Sequence, residues 1–463
     1  MVFSSITFIS VFLPIVFFLH WALPDIRWKN GLLLLASLLF YAYGEPVYVL
    51  LMVCSAFANY ILGKFACEGC ACRKIAMIMA ILINIGLLAV FKYAGFLAEL
   101  LNGLGMRKIP VPQIRLPIGI SFFTFQALSY VIDVYQGTTR AQEKFSKVLL
   151  YISFFPQLIA GPIVKYHDMA AEIDDRKVTA AGAAFGMRRF IEGLSKKVLI
   201  ANTLGQTADL LFSADPSRIN VLTAWLAALS YLLQIYFDFS GYSDMALGMG
   251  EMFGFHFREN FHYPYQADSM REFWRRWHIS LSGWFREYLY FPLGGSRKGR
   301  GRTVLNKFIV FFCTGLWHGA NVTFVVWGLY HGFFLMLEEY FPVFYKKGLR
   351  MTVFRRIYTL LTVTVGFVIF RADTLAQGLH MIKEMFIGFH FEATAVSLGV
   401  QQLTPLFLIT LGVGGVAALP VREYLQTRKG YEVYSWLCSI AGLLLCLLNL
   451  SGNTYNPFIY FRF

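Results

Sequence analysis

The stretch Val304-Leu-Asn-Lys-Phe-Ile-Val-Phe-Phe-Cys-Thr-Gly-Leu-Trp-His-Gly-Ala-Asn-Val-Thr-Phe-Val-Val-Trp-Gly-Leu-Tyr330 decides the fold. Two apolar runs meet at Trp317-His318-Gly319. Each run is too continuous for an alternating strand, so both read as helices. At ~1.5 Å of rise per residue, the step from Val304 to His318 carries the histidine roughly 21 Å into hydrocarbon. An ionisable side chain at that depth is costly and marks a functional site by default. An imidazole, with its ordinary pKa near ~6.5, suits proton transfer there.

The rest of the chain supports a bilayer around that stretch. Of its 463 residues, 57% are hydrophobic and 15% charged, and the mean hydropathy is +0.55. These values lie far from a soluble average. Apolar runs fall near residues 3–23, 31–43, 47–63, 75–91, 145–163, 221–239, 304–318, 321–341, 357–370, 404–420 and 433–450. The expectation is an all-α, polytopic integral membrane protein with about eleven transmembrane or re-entrant helices. Several runs are short and read as tilted, broken or re-entrant. Met1–Pro24 lacks the basic start and small-residue cleavage site of a leader and reads as the first span. With no repeat and no low-complexity linker, residues 1–463 read as one membrane domain.

The net charge of +14 is unevenly placed. Lys64, Arg73 and Lys74 form one basic loop. Arg271, Arg275, Arg276, Arg286, Arg297, Lys298, Arg300, Arg302 and Lys307 fill a second. Lys346, Lys347, Arg350, Arg355 and Arg356 make a third, and Arg422, Arg428 and Lys429 a fourth. The positive-inside rule makes all four cytoplasmic and places His318 toward the outer half of the membrane. Because the charges flank membrane runs, nucleic acid is not an expected partner. Two segments read as amphipathic helices lying in the interface: Phe185–Asn202, with Arg188, Arg189, Lys196 and Lys197, and Met270–Tyr290. Cys67-Glu-Gly-Cys70-Ala-Cys72 has no second Cys/His pair to complete four ligands, so a reduced, solvated loop is the better reading and no metal is expected.

The chemistry concentrates in about 234–332. Phe273-Trp-Arg-Arg-Trp-His-Ile-Ser-Leu-Ser282, Pro292-Leu-Gly-Gly295, Trp317-His-Gly319 and Trp327-Gly-Leu-Tyr-His-Gly332 follow one another in order. With Phe237-Asp-Phe-Ser-Gly-Tyr-Ser-Asp244, Phe154-Phe-Pro-Gln-Leu-Ile-Ala-Gly-Pro162 and Phe458-Ile-Tyr-Phe-Arg-Phe463, the chain resembles, over essentially its whole length, the membrane-bound O-acyltransferase family, in its bacterial alginate O-acetyltransferase branch. The resemblance implies that family's fold and a multi-pass protein of the bacterial inner membrane. It implies acetyl transfer from a cytoplasmic donor to an exported polysaccharide, with an extracytoplasmic acetyltransferase or export protein as partner. Acetyl-coenzyme A is the implied donor and an acyl carrier protein the alternative. No Walker or Gly-x-Gly-x-x-Gly sequence supports a tightly held cofactor.

The resemblance matches the family's histidine to His318 and its earlier polar residue to His278. O-acetylation needs a base for the incoming hydroxyl and donors for the carbonyl oxygen as charge develops. His318 is assigned the first task and His278 the second, although His278 beside Arg275 and Arg276 also fits a plain interfacial histidine. Further candidates for donor or acceptor contact are Trp274, Arg275, Arg276, Trp277, Ser280, Ser282, Arg286, Trp317, Asn321, His331, Asp238 and Asp244. Trp274, Trp277 and Trp284 equally fit an interfacial aromatic belt. His331 also fits a satisfied core position, Asp238 and Asp244 also fit structural pairing, and His256 and His262 read as surface. The arginines suit the phosphates of an acyl donor. Gly294-Gly295-Ser296 reads as a plain turn. Two other classes stay open: a secondary transporter, for which no inverted repeat is visible, and a non-catalytic scaffold, in which both histidines are dispensable. D-alanyl transfer to teichoic acid is the alternative within the family.

Overall fold

A computed structural model describes residues 1–105, 109–159, 161–341, 348–452 and 455–462. Ala160, Lys346, Lys347 and Phe463, on which the sequence reading drew, lie outside the described residues. Among those described, the regular structure is helical throughout, with no strand.

Five helices are long and apolar enough to cross a membrane: Tyr48–Phe65, Arg73–Gly103, Val221–Met252, Leu349–Arg371 and Tyr431–Gly452. Ala393–Gln402 and Pro405–Ala417, bent by 66°, make a sixth span if counted together. Ile26–Gly44, Arg300–His318 and Val322–Tyr340 are as long but do not meet the test of length and apolar composition together. Residues 145–163 break into Phe145–Ser153 and Phe155–Leu158: Phe154 takes a non-helical ψ of 112°, and Pro156 sits in the first turn of the second helix, where a missing N–H costs no helical bond. In Tyr431–Gly452, Leu437, Ile440, Leu444 and Leu448 are all exposed. A contiguous apolar face of that kind is stable against lipid and a liability in water.

The chain divides into two compact units, Met1–Phe190 with Tyr242–Glu259, and Ile191–Gly241 with Asn260–Phe463. In the first, the helix Ile120–Gln136 is the core. Its side chains from Ile120 to Val134 are all buried, as an all-round apolar helix requires. Arg189 on the helix Ala180–Ser195 binds Asp244 through two nitrogens at 2.8 and 2.6 Å, so Asp244 is held in an ion pair. His256, on a loop of this unit, hydrogen-bonds Glu172 at 2.7 Å, which raises its imidazole above the ordinary range.

The second unit carries the motifs from Phe273 to Gly332. Phe185–Asn202, expected as one amphipathic helix in the interface, falls across three successive helical elements. Ala180–Ser195 continues through a π-helical turn, Lys196–Ala201, into Asn202–Phe212. Lys197 is buried there instead of lying on a solvated basic face. Met270–Tyr290, expected as one helix, is broken into Met270–Arg276 and Ile279–Phe285 with a π-helical turn at Arg286–Tyr290. The runs 304–318 and 321–341 form the helical hairpin Arg300–His318 and Val322–Tyr340. Its two helices approach backbone to backbone through glycines. A Cβ on Gly328 would lie 2.3 Å from the Phe311 carbonyl oxygen, and one on Gly315 2.4 Å from that of Phe324. Small residues at such crossings let apolar helices pack closely where no hydrophobic force joins them.

Candidate active site

The site grows from two chain reversals. The first is the hairpin turn. His318 is the last residue of its helix, Gly319 is extended, and Asn321 accepts the Thr323 amide at 3.0 Å to start the next helix. Gly319 has a steric reason: a Cβ there would sit 2.3 Å from the Phe324 ring. Asn321 also donates to the Asp373 carbonyl at 2.9 Å. It is a helix cap, with both ends of its side-chain amide engaged.

The second reversal is at His278. This residue has φ 45° and ψ 53°, a left-handed conformation uncommon outside glycine that costs on the order of 1–3 kcal/mol. Neighbouring bonds enforce it. The Trp277 amide closes the preceding helix on the Phe273 carbonyl at 2.8 Å, while the Ile279 amide turns to the Asn260 carbonyl at 2.9 Å. Asn260 Oδ1 accepts both the amide and the hydroxyl of Ser280, at 3.1 and 2.9 Å. Ser280 is therefore a brace for this reversal. His278 does not ride on a dipping helix, as its surroundings in the sequence implied; it is the kink between two short ones.

The two reversals bring the histidines to one indole. The Trp317 ring lies 6.0 Å from His278 and 5.0 Å from His318, centroid to centroid. The separation of the two imidazoles is thus bounded by the sum of those distances. Each is 4% exposed. His318 is further enclosed by Trp327 and Phe370, both at 5.1 Å and near perpendicular. His278 faces Phe261 at 6.0 Å and Phe239 at 6.5 Å. Such a water-poor cage strengthens any hydrogen bond made inside it.

His331 joins the cluster through Trp327, at 5.0 Å, the same indole that contacts His318. It is completely buried and packs against Trp274 at 5.3 Å. Neither of its ring nitrogens has a hydrogen-bond partner among the described residues, and nor do Nδ1 of His278 or the indole N–H groups of Trp274 and Trp327. Buried polar atoms are nearly always paired, so a concentration of unpaired ones in one place points to a site that a reactant completes.

A pocket of about 570 Å³ shares Trp274 with this cluster. Arg271, Arg275, Arg286 and Lys307 line it with Trp274 and Thr314. Thr314 lies one turn before His318 on the same helix face. Ser282 lines the pocket too, and its amide bonds the His278 carbonyl at 3.0 Å. Arg276 is diverted to Glu272 at 2.5 Å and does not line this cavity. The expected aromatic belt is absent here: Trp274, Trp277 and Trp284 are buried within the protein, Trp277 stacked on Phe273 at 5.5 Å. Asp238 is also structural, ion-paired with Lys197 at 2.7 Å. His262 meets Glu423 at 3.1 Å on the surface.

Glu338, which the sequence did not single out, supports the site. From Val322–Tyr340 it accepts the amides of Met270 and Arg271, at 2.5 and 3.2 Å, while Ser269 accepts that of Glu272 at 3.1 Å. The exposed amides of the Trp274 helix are thereby capped from the hairpin. An acid in an apolar helix was the available signal. Asn260, remote in sequence from everything it braces, gave none. Among the described residues no cluster of His, Cys, Asp or Glu is arranged to hold a metal. The thiols of Cys67 and Cys70 lie 2.7 Å apart in their loop.

Residues 144–381 match the membrane-bound O-acyltransferase family. Over the full length of both chains, the sequence is 42% identical to a probable alginate O-acetylase AlgI of Pseudomonas aeruginosa. It is 35% identical to a peptidoglycan O-acetyltransferase of Helicobacter pylori over 83% of this chain and 80% of that one. A teichoic acid D-alanyltransferase of Bacillus subtilis matches at 27% over 50% of this chain and 60% of its own.

Proposed function

The chain belongs to the membrane-bound O-acyltransferase family, and from that premise we propose that it passes acetyl groups from a cytoplasmic donor to an exported polysaccharide. It is a multi-pass membrane O-acyltransferase. The observation that carries the acetyl reading is the buried pair His278 and His318 on either side of Trp317, in a chain that aligns end to end with alginate O-acetylases. The acceptor class is an alginate-like or cell-wall glycan. The membrane is the bacterial inner membrane, and an extracytoplasmic protein completes delivery to the polymer. D-alanyl transfer is the weaker reading, since that relative matches only half of the chain.

The donor is an acyl thioester, acetyl-coenzyme A or an acyl carrier protein. Arg271, Arg275, Arg286 and Lys307 at the pocket suit its phosphates, and the Trp274 N–H is available inside. His318 takes the proton from the acceptor hydroxyl as that oxygen attacks the acetyl carbonyl. The carbon–sulfur bond then breaks and the thiol leaves with a proton. His278 polarises the carbonyl oxygen, in a place where the left-handed backbone holds its ring toward Trp317. Caged by aromatic rings, these groups act without competing water.

His318→Ala is expected to lower acetylation of the polysaccharide by ~10²–10⁴-fold, the usual cost of losing a general base, with membrane abundance near wild type. Acetylated polymer at wild-type levels from such cells would refute the assignment. Released thiol from acetyl-coenzyme A should appear only when acceptor or partner is added.

A further inference from the structure

We propose that the buried Lys197–Asp238 ion pair is a socket that positions the segment Tyr455–Tyr460 beside the catalytic cluster, so that both residues act as positioning residues for the transfer. The inference rests on the acyl-transfer reading above for its activity arm, and on geometry alone for its structural arm.

The pair is unlike the other ion pairs of the second unit. Lys197 Nζ and Asp238 Oδ1 are 2.7 Å apart, with side chains 3% and 1% exposed. They sit on two apolar helices, the π-helical turn Lys196–Ala201 and Val221–Met252. Charges there are rare and functional by default, and a π-turn commonly marks such a place. A buried pair is tolerable only if its remaining donors and lone pairs are satisfied. Here the segment supplies much of that. The Ile459 amide donates to Asp238 Oδ2 at 2.9 Å. Lys197 Nζ donates to the Pro457 carbonyl and, at 2.8 Å, to Asn202 Oδ1. Asn202 in turn donates to Asn456 Oδ1 at 3.1 Å, and the Tyr455 hydroxyl reaches Asp209 at 2.7 Å. Three elements, Lys196–Ala201, Asn202–Phe212 and Val221–Met252, are therefore tied to one short piece of chain more than two hundred residues away in sequence.

What the socket delivers is aromatic. Tyr460 packs 5.8 Å from Trp317 and 5.7 Å from Phe239. Trp317 is the indole shared by both histidines, and Phe239 faces His278. Phe458 stands 6.4 Å from Phe239. The segment thus forms one wall of the cage. Its grip comes from backbone atoms of Pro457 and Ile459, so it holds main chain in register while the side chains face the site. A simple staple between two helices would need no such partners.

The test measures hydrogen exchange of 455–460 and acetyl transfer in the full-length, detergent-purified protein. Asp238→Asn is expected to speed exchange of that segment at least tenfold and to lower kcat at least tenfold, with the donor KM within about twofold. Ile459→Pro keeps the ion pair and removes the amide that enters the socket, at a helix start where proline is tolerated, and Ile459→Ala, which trims the same buried side chain but keeps the amide, is its control. The proline variant should reproduce both effects, and it decides the matter if Asp238→Asn fails to fold. His318→Ala should lose transfer with the segment fully protected. Unchanged exchange in Ile459→Pro overturns the socket, and accelerated exchange with undiminished kcat overturns its role in positioning. If transfer itself proves not to be the reaction, the exchange arm still reports on the socket.

Discussion

His278 shows how a residue's backbone and side chain can be selected together. Its φ of 45° admits asparagine far more readily than a β-branched residue. His278→Asn is therefore expected to insert normally and lose transfer by ~10²-fold, whereas His278→Val should lose membrane abundance as well. Equal abundance of the two variants would show that the left-handed backbone imposes nothing. His331 makes a second case. A buried imidazole with both nitrogens unpaired gives the fold nothing that a phenyl ring would not. His331→Phe should leave the melting temperature unchanged or higher while transfer falls at least tenfold. Full activity in His331→Phe would reduce the residue to packing.

The hairpin Arg300–His318 and Val322–Tyr340 is the element on which the site depends. Gly328 allows its helices to touch, and a methyl group there would press on the Phe311 carbonyl. Gly328→Ala should destabilise the protein by about 1–3 kcal/mol, the range for overpacking, and should lower transfer by displacing His318. Asn321→Ala removes a cap, for which about 1 kcal/mol is typical, and transfer per folded molecule should hold. Thermal melting together with activity normalised to folded protein separates the two. A collapse of normalised activity in Asn321→Ala would give that residue a part in donor or acceptor contact.

For the whole molecule the strongest constraint is sidedness. The basic run Arg297–Lys307 flanks the pocket lined by Arg271, Arg275 and Arg286, and basic loops remain on the cytoplasmic side. An otherwise active Ser296→Cys chain should resist an impermeant maleimide in intact cells and react after lysis. Efficient labelling of intact cells would invert the topology and detach the pocket from the compartment where acyl thioesters are made.

The sequence by itself determined the helical class, the membrane setting and the family, and it singled out His278 and His318, which the structure brings to one indole. Each of these is written in local composition or in short ordered motifs: continuous apolar runs, and Trp-His at two places. Tertiary structure decided what each polar residue does. Asp238, Asp244, Ser280 and Asn321 looked like site residues because an isolated polar group among apolar neighbours looks alike whether it serves a ligand or a partner. Their partners, Lys197, Arg189, Asn260 and Asp373, are visible only in space. The break at His278 was equally hidden, since periodicity reports which face of a helix is apolar and carries no trace of a distant asparagine that pulls two amides off the helix. Long-range hydrogen bonds in a medium without water, where every donor must find an acceptor within the protein, made those choices.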